Sequence, residues 1–252
     1  MSDNTRHNTK SGDYNQAESF IRDSLANTAI PESEILENLH LFIPPQQLRR
    51  ILFFYEIYQQ LLTVPGVIMQ FGVRWGRELA LLESLRTTFE PFNHSRKIIG
   101  FDTFDGYAGI DDKDGQHDVM QEGNLATASA YENELDGILR AREQLSPIPH
   151  VKKFELIKGN AEETLAAYLA DNPHTIVSFA HLDMNLYRPT KLCLEMLRDH
   201  MPKGSIVLVD EVNLDIMPGE TIALKEVFGL QNLRLVRHAS VNPTWPAYFV
   251  VE

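Results

Sequence analysis

Gly66-Val67-Ile68-Met69-Gln70-Phe71-Gly72-Val73-Arg74-Trp75-Gly76 joins a short apolar run to two glycines four residues apart. An apolar run of this length, bounded by glycine, predicts a buried strand. The glycines predict a strand-to-helix turn in which the backbone can approach a ligand and the helix start offers free N–H groups. The helix follows at Glu78 to Leu85. Further strands are expected at Lys97 to Asp102, Phe154 to Ile157, Thr175 to Asp183 and Ser205 to Asp210. Helices are expected at Tyr131 to Leu145, Ala161 to Leu169, Pro189 to His200 and Ile222 to Phe228. Near-continuous apolar strands alternating with amphipathic helices imply an α/β fold, with a parallel sheet covered on both faces. The last two runs, Leu233 to Val236 and Tyr248 to Val251, have no helix between them and are expected to pair antiparallel through a loop around Pro243–Pro246.

Outside this core, residues 1–15 are polar and aperiodic and read as a disordered tail. Residues 16–64 read as an N-terminal helical segment, with starts at Pro31 and Pro44–Pro45. That segment is expected to pack, to cap the site or to join subunits in a homo-oligomer. Residues 65–252 form the main domain, and the Asp- and Gly-rich stretch 103–126 reads as a mobile lid.

The 252 residues carry 35 acidic and 23 basic side chains, a formal net charge of −12. An acidic surface disfavours nucleic acid and anionic lipid as partners, although a local basic pocket can still hold a small anion. One cysteine, Cys193, forms no internal disulfide, which fits a reducing cytoplasm. No secretory signal is expected from the polar start, and no apolar run approaches the ~18 residues of a membrane span.

In an open α/β sheet, ligands bind beyond the carboxyl ends of the strands. Gly72, Val73 and Gly76 follow the first strand. Asp102 ends the second, where an acid can accept from two ribose hydroxyls or cap a turn. Asn160 and Ala161 follow the third, where a small residue leaves room for an adenine ring and Asn160 can contact the ring or cap the next helix. The spacing is not the GxGxxG dinucleotide fingerprint, which argues against a nicotinamide cofactor. Asp183, Asp210 and Glu211 end the fourth and fifth strands and together suit Mg²⁺ as hard oxygen ligands. His181, Tyr107, His117, Tyr187 and Asn213 are further candidates from the same strand ends and from the lid. Residues 111–115 look like a calcium loop but fail its ligand spacing.

These motifs (residues 66–76, 98–107, 181–191, 203–211 and Pro218-Gly219-Glu220-Thr221) in this order resemble class I S-adenosylmethionine-dependent methyltransferases. More narrowly they resemble the macrocin O-methyltransferase (TylF, MycF and NovP-like) family, which methylates sugar hydroxyls. The resemblance implies a Rossmann-like fold with a seven-stranded sheet, antiparallel last strand and Mg²⁺-dependent transfer. It places Gln70, Gly72, Val73 and Gly76 by the amino-acid part of S-adenosylmethionine, and Asp102 with Thr103 at its ribose. Asn160 with Ala161 would lie by the adenine, and Asp183 would contact both cofactor and metal. Two positions depart from the family. Gln70 stands where an acid is common, and Asn185 stands where a second Asp is the proposed general base. An amide has no lone pair of useful basicity. The proton would then leave to His181 or to a group at the metal, with Asn185 orienting the acceptor. A protein that binds the cofactor as scaffold or sensor is the alternative reading.

Overall fold

The structure is a computed structural model that describes residues 11–237 and 246–252. Residues 1–10 of the expected tail and most of the expected 243–246 loop lie outside the described residues. Helix α1 (Gly12–Ala26) begins within the expected tail, where the Ser11 side chain accepts from the Tyr14 N–H and caps the first turn. The Pro31 region forms two 3₁₀ turns, Glu32–Glu34 and Leu36–Phe42, where an α-helix was expected. None of their residues is buried, so no packing rewards a longer helix.

Helix α2 (Pro45–Leu61) follows, and the alternating core then runs β1 (Val67–Phe71), α3 (Arg77–Phe89), β2 (Ile98–Asp102), α4 (Tyr131–Gln144), β3 (Phe154–Lys158) and α5 (Ala161–Asp171). It continues with β4 (Val177–Leu182), α6 (Tyr187–Leu197), β5 (Ile206–Val209), α7 (Gly219–Phe228) and β6 (Ala247–Val250). The strand order is β3-β2-β1-β4-β5-β6. All neighbours are parallel except β5 with β6. This is the expected Rossmann-like architecture, with six strands among the described residues where seven were expected. Within the described residues the run Leu233 to Val236 contributes a single antiparallel bridge, Val236 to Tyr248.

Side chains alternate across the sheet with period two. Ile68, Ile98, Phe154, Phe179 and Leu208 pack under α2, α3 and α4 on one face. Met69, Ile99, Ala180, Leu182 and Val207 pack with Leu165, Cys193 and Leu224 on the other. Cys193 is fully buried and serves as packing, as its helical position suggests. Helix α2 brings Phe53, Phe54, Ile57, Tyr58 and Leu61 into the first face, whereas α1 buries nothing.

The buried guanidinium of Arg96 ties α2 to the sheet. It donates to the carbonyls of Leu61, Val64 and Gly66, to Ser178 Oγ at 2.7 Å, and to both oxygens of Glu90. Tyr58 donates to the same carboxylate at 2.6 Å. Removing the guanidinium strands three carbonyls and a carboxylate away from water. Arg96→Met should therefore lower stability by about 3–5 kcal/mol, read as a fall of at least ~6 °C in melting temperature.

Candidate active site

Strands β2 and β4 leave β1 on opposite sides, so the chain reverses direction across the sheet between β1 and β4. The crevice beyond their carboxyl ends is where an open α/β sheet takes its ligand. A cleft of about 940 Å³ opens there, with Gly72, Asp102, Asn160, Asp183, Asp210 and Glu211 among its lining residues.

The glycine turn is held by close backbone approach. Gly72 has φ +89°, a conformation that L side chains rarely adopt, and a Cβ there would stand 1.9 Å from the Asp183 carbonyl oxygen. The Gly72 N–H donates to Phe101 O, and Asp183 N–H donates to Phe71 O. The Asp102 carboxylate then fastens two loops. Oδ2 accepts from Val73 N (2.6 Å) and Arg74 N (2.7 Å), and Oδ1 accepts from Phe104 N (2.5 Å). Gln70 is fully buried, does not line the cleft, and donates through Nε2 to Gly72 O at 2.9 Å. Here it supports the turn from below. Gly76 stands at the start of α3 with φ +77°, packed against Leu135, and is also outside the lining.

Five carboxylates meet at the far side of the cleft: Asp183, Asp210, Glu211, Glu220 and Glu78. Two guanidinium groups reach them: Arg77 donates from Nε to Glu78 Oε1 at 2.5 Å, and Arg50 from α2 lies among the others. Its Nε donates to Glu78 Oε1 at 2.5 Å, and Nη2 stands 3.2 Å from Asp210 Oδ1 and 3.7 Å from Asp183 Oδ2. Burial opposes ionisation of Asp210, but Arg50 and then His181 outweigh it and hold this carboxyl below its usual range. Burial and then the Asp210 charge push Asp183 and Glu211 well above theirs. Burial pushes Glu220 up to about 7. Glu220 accepts from the backbone N–H of Met184, Asn185 and Glu211, so it clamps the loops after β4 and β5 together.

This donor set fits a divalent cation. Glu211 Oε2 is buried with no hydrogen-bond partner among the described residues. His181, Asp183 and Asp210 offer ligand atoms within 4.8 Å of one another. Glu211 is not in that close group, unlike the expected Asp183, Asp210 and Glu211 triad. His181 itself faces α2, stacked on Phe179 and edge-on to Phe54, with Nε2 3.4 Å from Asp210 Oδ1. It is fully buried and does not line the cleft.

Residues 103–126 were expected to be a mobile lid but are anchored in this structure. Asp114 is fully buried and accepts from Tyr187 N at the start of α6 and from Asp111 N. Asp111 and Asp114 cap each other's backbone around a 3₁₀ turn, which accounts for the apparent calcium loop. Gly219 allows the approach, since a Cβ there would lie 2.2 Å from Asp114 Oδ1. The loop carries Thr103 and Tyr107 into the lining, and Asn185 Nδ2 donates to Tyr107 Oη at 2.6 Å. Burial, with nearby Glu211 and Glu220 adding to it, pushes the Tyr107 phenol up. His117, Tyr187 and Asn213 stand outside the lining; Tyr187 Oη bonds Glu226, and Asn213 N–H bonds Thr221.

Val73, Asn160 and Ala161 line the cleft as expected. Three functional neighbours were missed in the sequence. Glu220 sits in a quoted motif but carries no signal of its three N–H bonds. Arg50 and Glu78 sit on helices in ordinary amphipathic patterns, and only the tertiary packing of α2 on α3 joins them. Gly72→Ala should displace the β4 end and open the cleft. The expected result is a loss of several kcal/mol in urea unfolding, accompanied by loss of ligand binding; wild-type stability would contradict the close approach.

The chain is similar to solved structures of methyltransferases. The crystal structure of CalS11, a calicheamicin methyltransferase, is 38% identical over 96% of this chain and 94% of its own, with a TM-score of 0.93. The apo structure of CalS11, described as a TDP-rhamnose 3′-O-methyltransferase of calicheamicin biosynthesis, is 36% identical over 96% of each chain, with a TM-score of 0.84. The O-methyltransferase NovP shares the fold at 16% identity and TM-score 0.63, over 94% of this chain and 98% of its own. No protein-family model matches, and a search of curated proteins finds no match. With its glycine turn, Asp102 and acidic cluster at the switch point, and identity to CalS11 running through nearly the whole of both chains, this protein belongs to the CalS11 family of class I S-adenosylmethionine-dependent methyltransferases.

Proposed function

We propose that the protein transfers the methyl group of S-adenosylmethionine to a sugar hydroxyl, with Mg²⁺ held in the carboxylate cluster. One cleft holds both the Asp102-fastened glycine turn and the cluster, and that juxtaposition carries the reading. The CalS11 relative described as acting on TDP-rhamnose supports a nucleotide-linked sugar as the first substrate class to try. Arg74, Arg77 and Arg188 line the cleft, Arg77 paired with Glu78 and Arg188 with Glu162, and a diphosphate would compete with those acids for them.

Residues 72–75 border the amino-acid end of the cofactor, and Asn160 with Ala161 lies beside the adenine. A carboxylate has about four acceptor positions, and Asp102 already uses three on backbone N–H groups, so one remains for a ribose hydroxyl. Asp183 and Asp210 would hold the cation, with Glu211, outside that close group, offering its unpartnered Oε2. When bound, the cofactor supplies an electrophilic methyl and the cation a Lewis acid that makes the acceptor hydroxyl more acidic. The transfer would break the cofactor's carbon–sulfur bond and form a carbon–oxygen bond on the acceptor. The hydroxyl proton goes to a carboxylate of the cluster, since Asn185 has no basic lone pair and His181 lies outside the lining. The Asn185–Tyr107 pair orients the acceptor.

The exposed apolar side chains of α1 and its following turns, Phe20, Leu36 and Leu41, support assembly of copies of the chain through this arm. No described helix is long and apolar enough to cross a membrane. The buried, unpaired Cys193 supports a cytoplasmic location.

Calorimetric titration of S-adenosylmethionine into folded protein should give binding in the micromolar range; absence of binding with and without Mg²⁺ sinks the reading. Asp210→Asn should lower chelator-sensitive methyl transfer by about 10²–10³-fold, since metal polarisation supplies several kcal/mol of transition-state stabilisation. Full turnover in a chelator would remove the cation from the mechanism.

A further inference from the structure

Arg50 has no part in the activity described so far, yet its guanidinium faces three of the acids of the cleft. It leaves α2 four residues before Phe54, and its guanidinium lies 5.4 Å from that ring's centroid. The side chain is 13% exposed. Both Asp210 oxygens face it, Oδ1 at 3.2 Å from Nη2 and Oδ2 at 3.5 Å from Nη1. The same Nη2 reaches Asp183 Oδ2 at 3.7 Å, while Nε is held separately by Glu78.

We propose that Arg50 is a built-in stand-in for the metal, a positioning residue whose guanidinium holds Asp183 and Asp210 together and must give up their facing oxygens when a divalent cation binds. The proposal rests on the carboxylate cluster being a divalent-cation site. A magnesium ion needs carboxylate oxygens at about 2.1 Å, and on Asp210 both oxygens are engaged by the guanidinium. A cation placed against them meets a like charge at close range. Five converging carboxylates also need some positive charge in its absence. A guanidinium remains protonated at any ordinary pH, so Arg50 can supply that charge without titrating. The Nε–Glu78 bond gives the side chain a pivot, since it touches neither metal candidate. Turning about it would free the two Nη groups while the buried face of α2 stays in place. The cleft would thus hold its acids in register when empty of metal, with metal affinity reduced by the competition.

The test is calorimetric titration of Mg²⁺ alone into metal-stripped full-length protein. The samples are wild type, Arg50→Met, Arg50→Gln and Arg50→Lys, each first checked for folding by circular dichroism melting. Gln keeps a hydrogen bond to Glu78 within reach and guards against loss of fold in the Met variant. Both neutral variants should bind Mg²⁺ at least ~10-fold more tightly than wild type, with Lys close to wild type. They should also melt lower without metal and gain more from added Mg²⁺. A merely structural role for Arg50 would weaken binding or leave it alone. Equal or weaker binding by the neutral variants overturns the proposal while leaving the metal site standing. No binding by any of the four proteins overturns the proposal and the metal site together.

Discussion

Carboxylates that converge out of water must share positive charge, and the active end of this protein is arranged around that requirement. Asp183, Asp210 and Glu211 come from two adjacent strand ends, Glu220 from α7 and Glu78 from α3. Left to themselves they would repel and spread, carrying the loops after β4 and β5 with them. Two devices prevent this. Glu220 is spent on three backbone N–H groups, which turns one acid into a clamp between the two loops. Arg50 answers Asp210, Asp183 and Glu78 at once. Helix α2 therefore belongs to the site as well as to the core. Its Phe53, Phe54 and Ile57 anchor it on the sheet, and that anchoring sets Arg50 at the right depth. The Arg96 staple at the other end of α2 serves the same placement from a distance.

The opposite wall of the cleft is built from backbone. Gly72 has no room for a side chain because Asp183 O passes where a Cβ would be. That contact and the Asp183 N–H bond to Phe71 join the glycine turn to the acidic cluster directly. Asp102 adds a second tie, from β2 to the same turn. The glycine turn and the acidic cluster are thus mechanically one unit, as the proposed transfer, in which a methyl carbon and an acceptor oxygen must meet in line, would require.

Much of this was legible in the sequence for a plain reason. Strand periodicity and the chemistry of strand ends are local properties, so Gly72, Asp102, Asn160, Asp183, Asp210 and Glu211 announced themselves by position. Arg50 did not, because its meaning depends on α2 lying across the sheet, and an arginine in an amphipathic helix looks like any solvated one. His181 is placed differently. It precedes Asp183 by two residues and shares the close group with Asp183 and Asp210, but strand alternation leaves its ring facing α2 between Phe54 and Phe179. The expected lid is docked in this structure. Its Asp and Gly content suggests mobility, yet Asp114 spends its charge on two backbone N–H groups and docks the loop onto α6 and α7. Of the expected seventh strand, Leu233 to Val236, the described residues show one bridge to β6, at Val236.

Asn185 shows why a residue that breaks a family pattern need not break the function. Its backbone has φ +63°, a conformation that Asn tolerates better than most side chains. Its N–H is held by Glu220 and its amide nitrogen donates to Tyr107, so three segments of the chain meet on one residue. A carboxylate in that place would become a sixth acid beside Glu220 and Glu211, and could keep the contact only by accepting from the Tyr107 hydroxyl. An amide keeps the tie at no cost in charge. Its Oδ1 has no partner among the described residues and is buried next to the cleft, where an acceptor hydroxyl could donate to it. The substitution exchanges a proton acceptor for a hydrogen-bond acceptor. That exchange is consistent with catalysis only if a neighbouring carboxylate takes the proton, and this is the task left to the cluster that Arg50 holds together.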